Sequence, residues 1–208
     1  MKKYFLFGIA ASLFSSFVLA KEIGKVAIAR GDATMVHGKT DSKVKIGSTV
    51  SEGDVIVTQA GAYLKVVMQD RNILIVPENS KLSIDEYVTA KDKKSVVLSV
   101  EYGSARHVLK QKYVKKNEKY EVRTPTTVAG VRGTDFLTIF KKDSAESVIC
   151  TLEGKVSFYL SKDDVGDQKP VLVEAGHFVR VKSGDSSPQV VETDKAWLDK
   201  ALKTHSLE

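Results

Sequence analysis

Cysteine is nearly missing from this chain. Cys150 is the one thiol in 208 residues, so no disulfide can form within it. Its place in the apolar run Ser147-Val148-Ile149-Cys150-Thr151-Leu152 suits a small buried hydrophobe. No apolar run is long enough to remain as a membrane span either. The one near the start is broken by Gly8, Ser12, Ser15 and Ser16, whereas a spanning helix needs about 20 continuous apolar residues. Also absent are a Gly-x-Ser-x-Gly elbow, a phosphate-cradling Gly-x-x-x-x-Gly-Lys-Ser/Thr loop and a Gly-x-Gly-x-x-Gly dinucleotide turn. His37, His107, His177 and His205 stand alone, none at metal-ligand spacing from another. These gaps argue against catalysis, metals and cofactors, and toward binding.

What the first residues do contain is a secretory leader. Met1-Lys2-Lys3 is basic, Tyr4 to Leu19 is largely apolar, and Ala20 precedes charged Lys21-Glu22. Cleavage after Ala20 leaves 188 residues and lowers the formal net charge from +6 to +4 with the loss of Lys2 and Lys3. The expectation is an exported protein, placed in the periplasm or secreted, with no stable membrane span after cleavage. Nucleic acid is excluded as a partner for an exported chain without a recognition motif. A mature chain of this length forms one domain with an appendage.

Short β-like runs fill that domain. Lys25 to Ala29 ends at Gly31-Asp32, and Val55 to Thr58 begins after Gly53-Asp54. Spacing this short leaves no room for crossover helices, so the class is all-β, a sandwich, roll or solenoid. Leu64, Val66 and Met68 alternate onto one face, and Ile73 to Val76 forms a continuous apolar strand. The densest set of backbone demands lies in Thr124 to Phe136. Pro125 fixes its own φ, Gly130 and Gly133 bracket Val131-Arg132 with bends, and Thr124 and Thr134 satisfy turn backbone. Val128, Val131 and Phe136 plug the core, and Arg132 and Asp135 pair across the bend. A strand follows, Asp135 to Phe140.

Val131-Arg132-Gly133-Thr134-Asp135-Phe136, preceded by Thr124-Pro125, resembles the hallmark of the FecR domain family. A second block is similar too: Ile46-Gly47, Val50, Gly53-Asp54, Ile56 and Thr58, then Gly61 and the strands to Ile84. Glu153-Gly154-x-Val156 and Ala175-Gly176-His177-x-Val179 extend the resemblance to about residues 24 to 182. Where the family commonly has Asp-Gly-Ser in a hairpin turn, this chain has Asp70-Arg71-Asn72, with Asn72 suited to the left-handed position. The resemblance implies a FecR-type β-solenoid or sandwich-like roll over residues 21 to 190. It also implies a non-enzymatic role in envelope signalling with a protein partner. Family regulators join an anti-sigma segment and a transmembrane helix to this domain. The leader here replaces both, so a direct line to a cytoplasmic sigma factor is not expected.

Two surface features complete the reading. Lys110, Lys112, Lys115, Lys116 and Lys119 interleave with Tyr113 and Tyr120, which fits either a solvated hairpin tipped by Lys115 to Glu118 or a face for a cell-wall glycan. The binding candidates are Lys112, Tyr113, Lys115, Lys116, Arg132 and Asp135. Thr193 to Leu202 forms a helix capped by Thr193 or Asp194, with Trp197, Leu198, Ala201 and Leu202 on one apolar stripe that packs back on the sheet. Gly24-Lys25-Val26 recurs as Gly154-Lys155-Val156, too short a match to establish a repeat.

Overall fold

The computed structural model describes residues 21–90, 92–115, 117–160 and 169–206. Residues 1–20, read above as a leader, lie outside the described residues, as do Lys91, Lys116, residues 161–168 and Leu207-Glu208. Among the described residues the fold is all-β with one helix, and the chain lays its strands alternately into two sheets. β1 (Glu22–Arg30) opens the first sheet, β2 (Ala33–His37) and β3 (Thr40–Lys43) open the second, β4 (Thr49–Ser51) returns to the first and β5 (Val55–Thr58) to the second. The hairpin of β6 (Tyr63–Met68) and β7 (Ile73–Pro77) extends the first sheet, and β8 (Ser80–Thr89) extends the second. β9 (Lys94–Val108) belongs to both. β10 (Glu118–Arg123) and β11 (Val128–Val131) then join the second sheet, and β12 (Asp135–Lys141) and β13 (Glu146–Glu153) the first. β14 (Lys155–Tyr159) and β15 (Val171–Glu174) follow in the second, then β16 (His177–Lys182) and β17 (Gln189–Glu192) in the first. The helix α1 (Lys195–Thr204) ends the fold. Neither sheet closes on itself.

One path recurs. β5 leaves the second sheet, β6 and β7 make a hairpin in the first, and β8 returns to pair with β5. β11, β12, β13 and β14 repeat it, with β14 returning to pair with β11. The sequence echo at Gly24 and Gly154 is unrelated to this repetition. Gly24 sits in β1 against Met68, whereas Gly154 has φ +82 in the turn before β14.

β9 is where the sheets meet. Its first half pairs with β8 and, in parallel, with β10, whereas its second half pairs with β12 and β7. The sequence suggests a turn at Tyr102-Gly103, but the strand runs through. Gly103 has φ +82 at the crossing, and a Cβ there would stand 2.3 Å from Ser80 Oγ and 2.4 Å from Asn79 O. Only glycine fits that bend.

The core lies between the inner faces. Leu64, Val66 and Met68 face it as their alternation requires, with Ile56, Phe136, Ile149, Val156 and Phe158. Burial of such side chains is the main stabilising term, about 25 cal/mol per Å² of apolar surface. A second apolar layer sits on the outward face of the first sheet. Ile75, Leu137, Val148 and Cys150 alternate with core residues yet are fully buried, because α1 and its flanks lie across them. Trp197 stacks on Phe178, Arg106 Nη1 donates to the His205 carbonyl at 2.9 Å, and Tyr63 donates to the Ser206 carbonyl. Asp194 caps the helix by accepting from Trp197 N at 2.9 Å. Cys150 is the buried hydrophobe its sequence context indicates, with burial pushing its thiol pKa up.

Candidate functional site

The Thr124 to Phe136 stretch and the basic segment meet on the second sheet. Thr124 Oγ1 accepts from Thr127 N at 3.0 Å and Thr126 N at 3.2 Å, closing the turn after Pro125. Val131 and Phe136 enter the core, while Val128 is buried on the other face of β11. Gly133 has φ +109, and a Cβ there would stand 3.4 Å from Gln111 O and from Lys112 Cγ. Thr134 Oγ1 donates to Lys155 O at 3.1 Å, and Thr134 O accepts from Leu109 N at 3.1 Å. The motif therefore pins the basic loop on one side and β14 on the other.

Two expectations about this stretch are corrected. Gly130 makes no bend: its φ is not positive and it lies within β11, paired with Glu121 and Ser157. Arg132 does not clamp Asp135. Strand alternation sends them to different places, and Asp135 accepts two bonds from Arg106, at 2.9 Å from Nε and 2.7 Å from Nη2. Asp135 is thereby committed to the first sheet and the α1 anchor, and Arg132 is left exposed with no partner among the described residues.

The basic segment also departs from its expected form. The chain leaves β9 at Leu109 in a crossing rather than a hairpin, because β10 runs parallel to β9. Tyr113 and Tyr120 are buried, with rings in edge contact at 5.5 Å, so neither offers an exposed face for stacking on a sugar. The Tyr113 hydroxyl reaches a polar cluster in which Asn72 Nδ2 lies 3.0 Å away and Asp70 Oδ2 3.3 Å. Tyr87 donates to Asp70 Oδ1 at 3.0 Å, and Asn72 Oδ1 accepts from Lys110 N at 2.8 Å. Burial, with the Asp70 charge beside it, pushes the Tyr113 pKa up. In the turn that carries this cluster, Arg71 takes the left-handed position at φ +69, which frees Asn72 to point inward. Lys112 and Lys115 remain exposed, and Lys116 lies outside the described residues.

Between loop, β10, β11 and β14 runs an open groove of about 210 Å³. Gly130 forms its floor, and Lys119, Glu121, Arg132, Ser157 and Tyr159 are among its walls. Its carboxylates are occupied. Glu118 accepts from Val114 N at 3.0 Å and Lys115 N at 3.2 Å, and these backbone donors hold its pKa below the usual carboxylate range. Glu121 pairs with Arg123 at 2.9 Å, and Lys119 with Glu86 at 3.8 Å. Ser157 and Tyr159 carry no sequence signal, because they reach the groove through the β11–β14 register, about thirty positions away along the chain. Lys119 and Glu121 are legible as the outward residues of an alternating strand. Among the described residues there is no cluster of three His, Cys, Asp or Glu suited to a metal ion, and no helix is long and apolar enough to cross a membrane.

Comparison with known proteins places this geometry. The profile of the family described as FecR protein matches residues 54–157. No curated protein matches the chain. Crystal structures at 1.65 and 2.50 Å of a candidate anti-sigma factor from Parabacteroides distasonis ATCC 8503 share the fold, each with a TM-score of 0.54, at 15% and 16% identity. The similarity covers 69% of this chain and 64% and 63% of the chains compared, so this protein spans less than two thirds of theirs.

Proposed function

The chain belongs to the FecR family, and from that premise we propose that it is a non-enzymatic regulatory or scaffolding module that acts in the periplasm by binding another protein of the cell envelope. The observation that carries this reading is the groove on the second sheet. It is built in part by the motif that typifies the family, and both of its carboxylates already hold cations. Arg132 stands there unpaired at no structural gain to the fold. The shared fold with a candidate anti-sigma factor supports a regulatory setting, and the leader supports export.

Site-specific photocrosslinking in living cells tests it. With the full chain carrying a photoreactive residue at Lys112, Lys119 or Arg132, irradiation is expected to yield one discrete heavier species that mass spectrometry identifies as an envelope protein. The same residue at Lys43, on the distant edge strand β3, is expected to give none. Equal products from all four positions, or no product from the groove, would refute the reading.

A further inference from the structure

We propose that the groove over Gly130 receives an acidic side chain, with its methylene stem, presented by the protein partner. This rests on the partner-binding reading above and supplies the partner's chemistry. Ten glycines among the described residues have positive φ, and Gly130 is not one of them. A Cβ at Gly130 would meet nothing nearer than Tyr159 Cε2 at 3.7 Å, an ordinary contact. Neither the backbone nor the packing requires glycine there, and glycine inside a strand is unfavourable. What its missing side chain does is open the sheet surface. Glu121 and Ser157 flank it in one cross-strand row, with Arg132 and Tyr159 beside them.

The size and charge of the opening select the occupant. At about 210 Å³ it falls below the roughly 300–1,000 Å³ of small-molecule pockets, and it suits one side chain. Of the charged residues that line it, Glu118 is held by Lys94 and Lys115, Glu121 by Arg123, and Lys119 pairs with Glu86, which leaves Arg132 as the cation without a partner among the described residues. The Arg132 fork matches a carboxylate with two parallel hydrogen bonds. The Ser157 hydroxyl, which makes no hydrogen bond among the described residues, adds a donor. The Tyr159 ring supplies apolar wall for the methylenes, which a free anion would leave uncovered.

NMR titration of the ¹⁵N-labelled chain decides the matter with three probes: Ac-Ala-Glu-Ala-NH2, its Gln analogue, and Ac-Ala-Ala-Ala with a free terminal carboxylate. The Glu peptide is expected to shift the amide signals of Gly130, Arg132, Ser157 and Tyr159 saturably, with the Gln peptide at least tenfold weaker. Arg132→Gln is expected to weaken the Glu peptide at least tenfold. Gly130→Leu, which fills the notch, is expected to abolish its binding while the dispersed spectrum persists. Should Gly130→Leu unfold, Arg132→Gln decides alone. Equal binding of Glu and Gln peptides, or full binding to Arg132→Gln, overturns the proposal. Tighter binding of the free terminal carboxylate also overturns it, in favour of a chain end. If the Glu peptide fails while groove positions still crosslink in cells, the acidic chemistry falls and the partner-binding reading stands.

Discussion

Mild acid should weaken this fold through His107, and the effect can be sized. The imidazole is fully buried in the core, stacked on Phe136 at 4.8 Å, with Nδ1 3.3 Å from the Tyr120 hydroxyl and Nε2 without a partner among the described residues. Burial, reinforced by the nearby His205, lowers its pKa from 6.5 to about 3. A histidine depressed in the folded state binds a proton more readily when unfolded. Its contribution is therefore complete above pH 6.5 and is lost progressively as the pH falls from there toward 3. At about 1.4 kcal/mol per pH unit, the loss between pH 7 and pH 5 is about 2 kcal/mol. Over this window the lowered carboxylates of Asp32, Glu118 and Glu174 stay ionised in both states, because their stabilisation fades only below about pH 4.5. His205, also depressed by burial, adds to the slope in the same direction. Urea unfolding of residues 21–208 at pH 8, 7, 6 and 5 measures it, alongside His107→Phe, which keeps an aromatic ring on Phe136 and removes the titration. The variant should start about 1 kcal/mol lower, from the lost Tyr120 partner, and decline less with acid by about 2 kcal/mol. A variant that declines as steeply as wild type would refute the assignment to His107.

Arg106→Ala should destabilise by about 3–5 kcal/mol in chemical denaturation, because it leaves the Asp135 carboxylate buried and unpaired and strips the His205 carbonyl of its donor. Asp135→Leu combined with Arg106→Met should recover much of that loss. Removal of residues from 194 onward should expose Cys150 to thiol reagents, with labelling fast in the truncated chain and slow in the full one. Equal rates would show that α1 does not shield the outer layer. Gly133→Val should lower stability by more than 2 kcal/mol, from a branched residue at φ +109 facing Gln111 and Lys112. A melting temperature equal to wild type would refute the structural role of that bend.

How much of this was legible in the sequence varied with distance along the chain. Alternation is local, so Leu64, Val66 and Met68 could be assigned to the core, and Asp194 and the Trp197 stripe could be read as a capped helix. The Val131 to Phe136 motif identified the family and the special backbone at Gly133. Pairings across the fold left no such trace. Asp135 lies three residues from Arg132 yet bonds Arg106, because the residue's face is set by which sheet β12 joins. Tyr113 looked like an exposed aromatic among lysines, and only the Asp70 and Asn72 cluster, some forty residues earlier, explains its burial. Gly103 and Gly130 are identical letters with opposite meanings: one is forced by a clash with Ser80, and the other leaves a surface open.

The alternation of strands between two open sheets makes the length of this domain adjustable. Each recurrence of the β5–β8 path adds to the edge left by its predecessor, touches few earlier strands and requires no rethreading. Residues 54–157, by which the chain is recognised as a FecR protein, run from the start of β5 into β14 and so contain nearly both copies of that path. β1 to β4 lie on one side of that span, and β15 to β17 with α1 on the other. Growth or loss at these two margins would change the reach of the protein while the groove over Gly130 kept its shape.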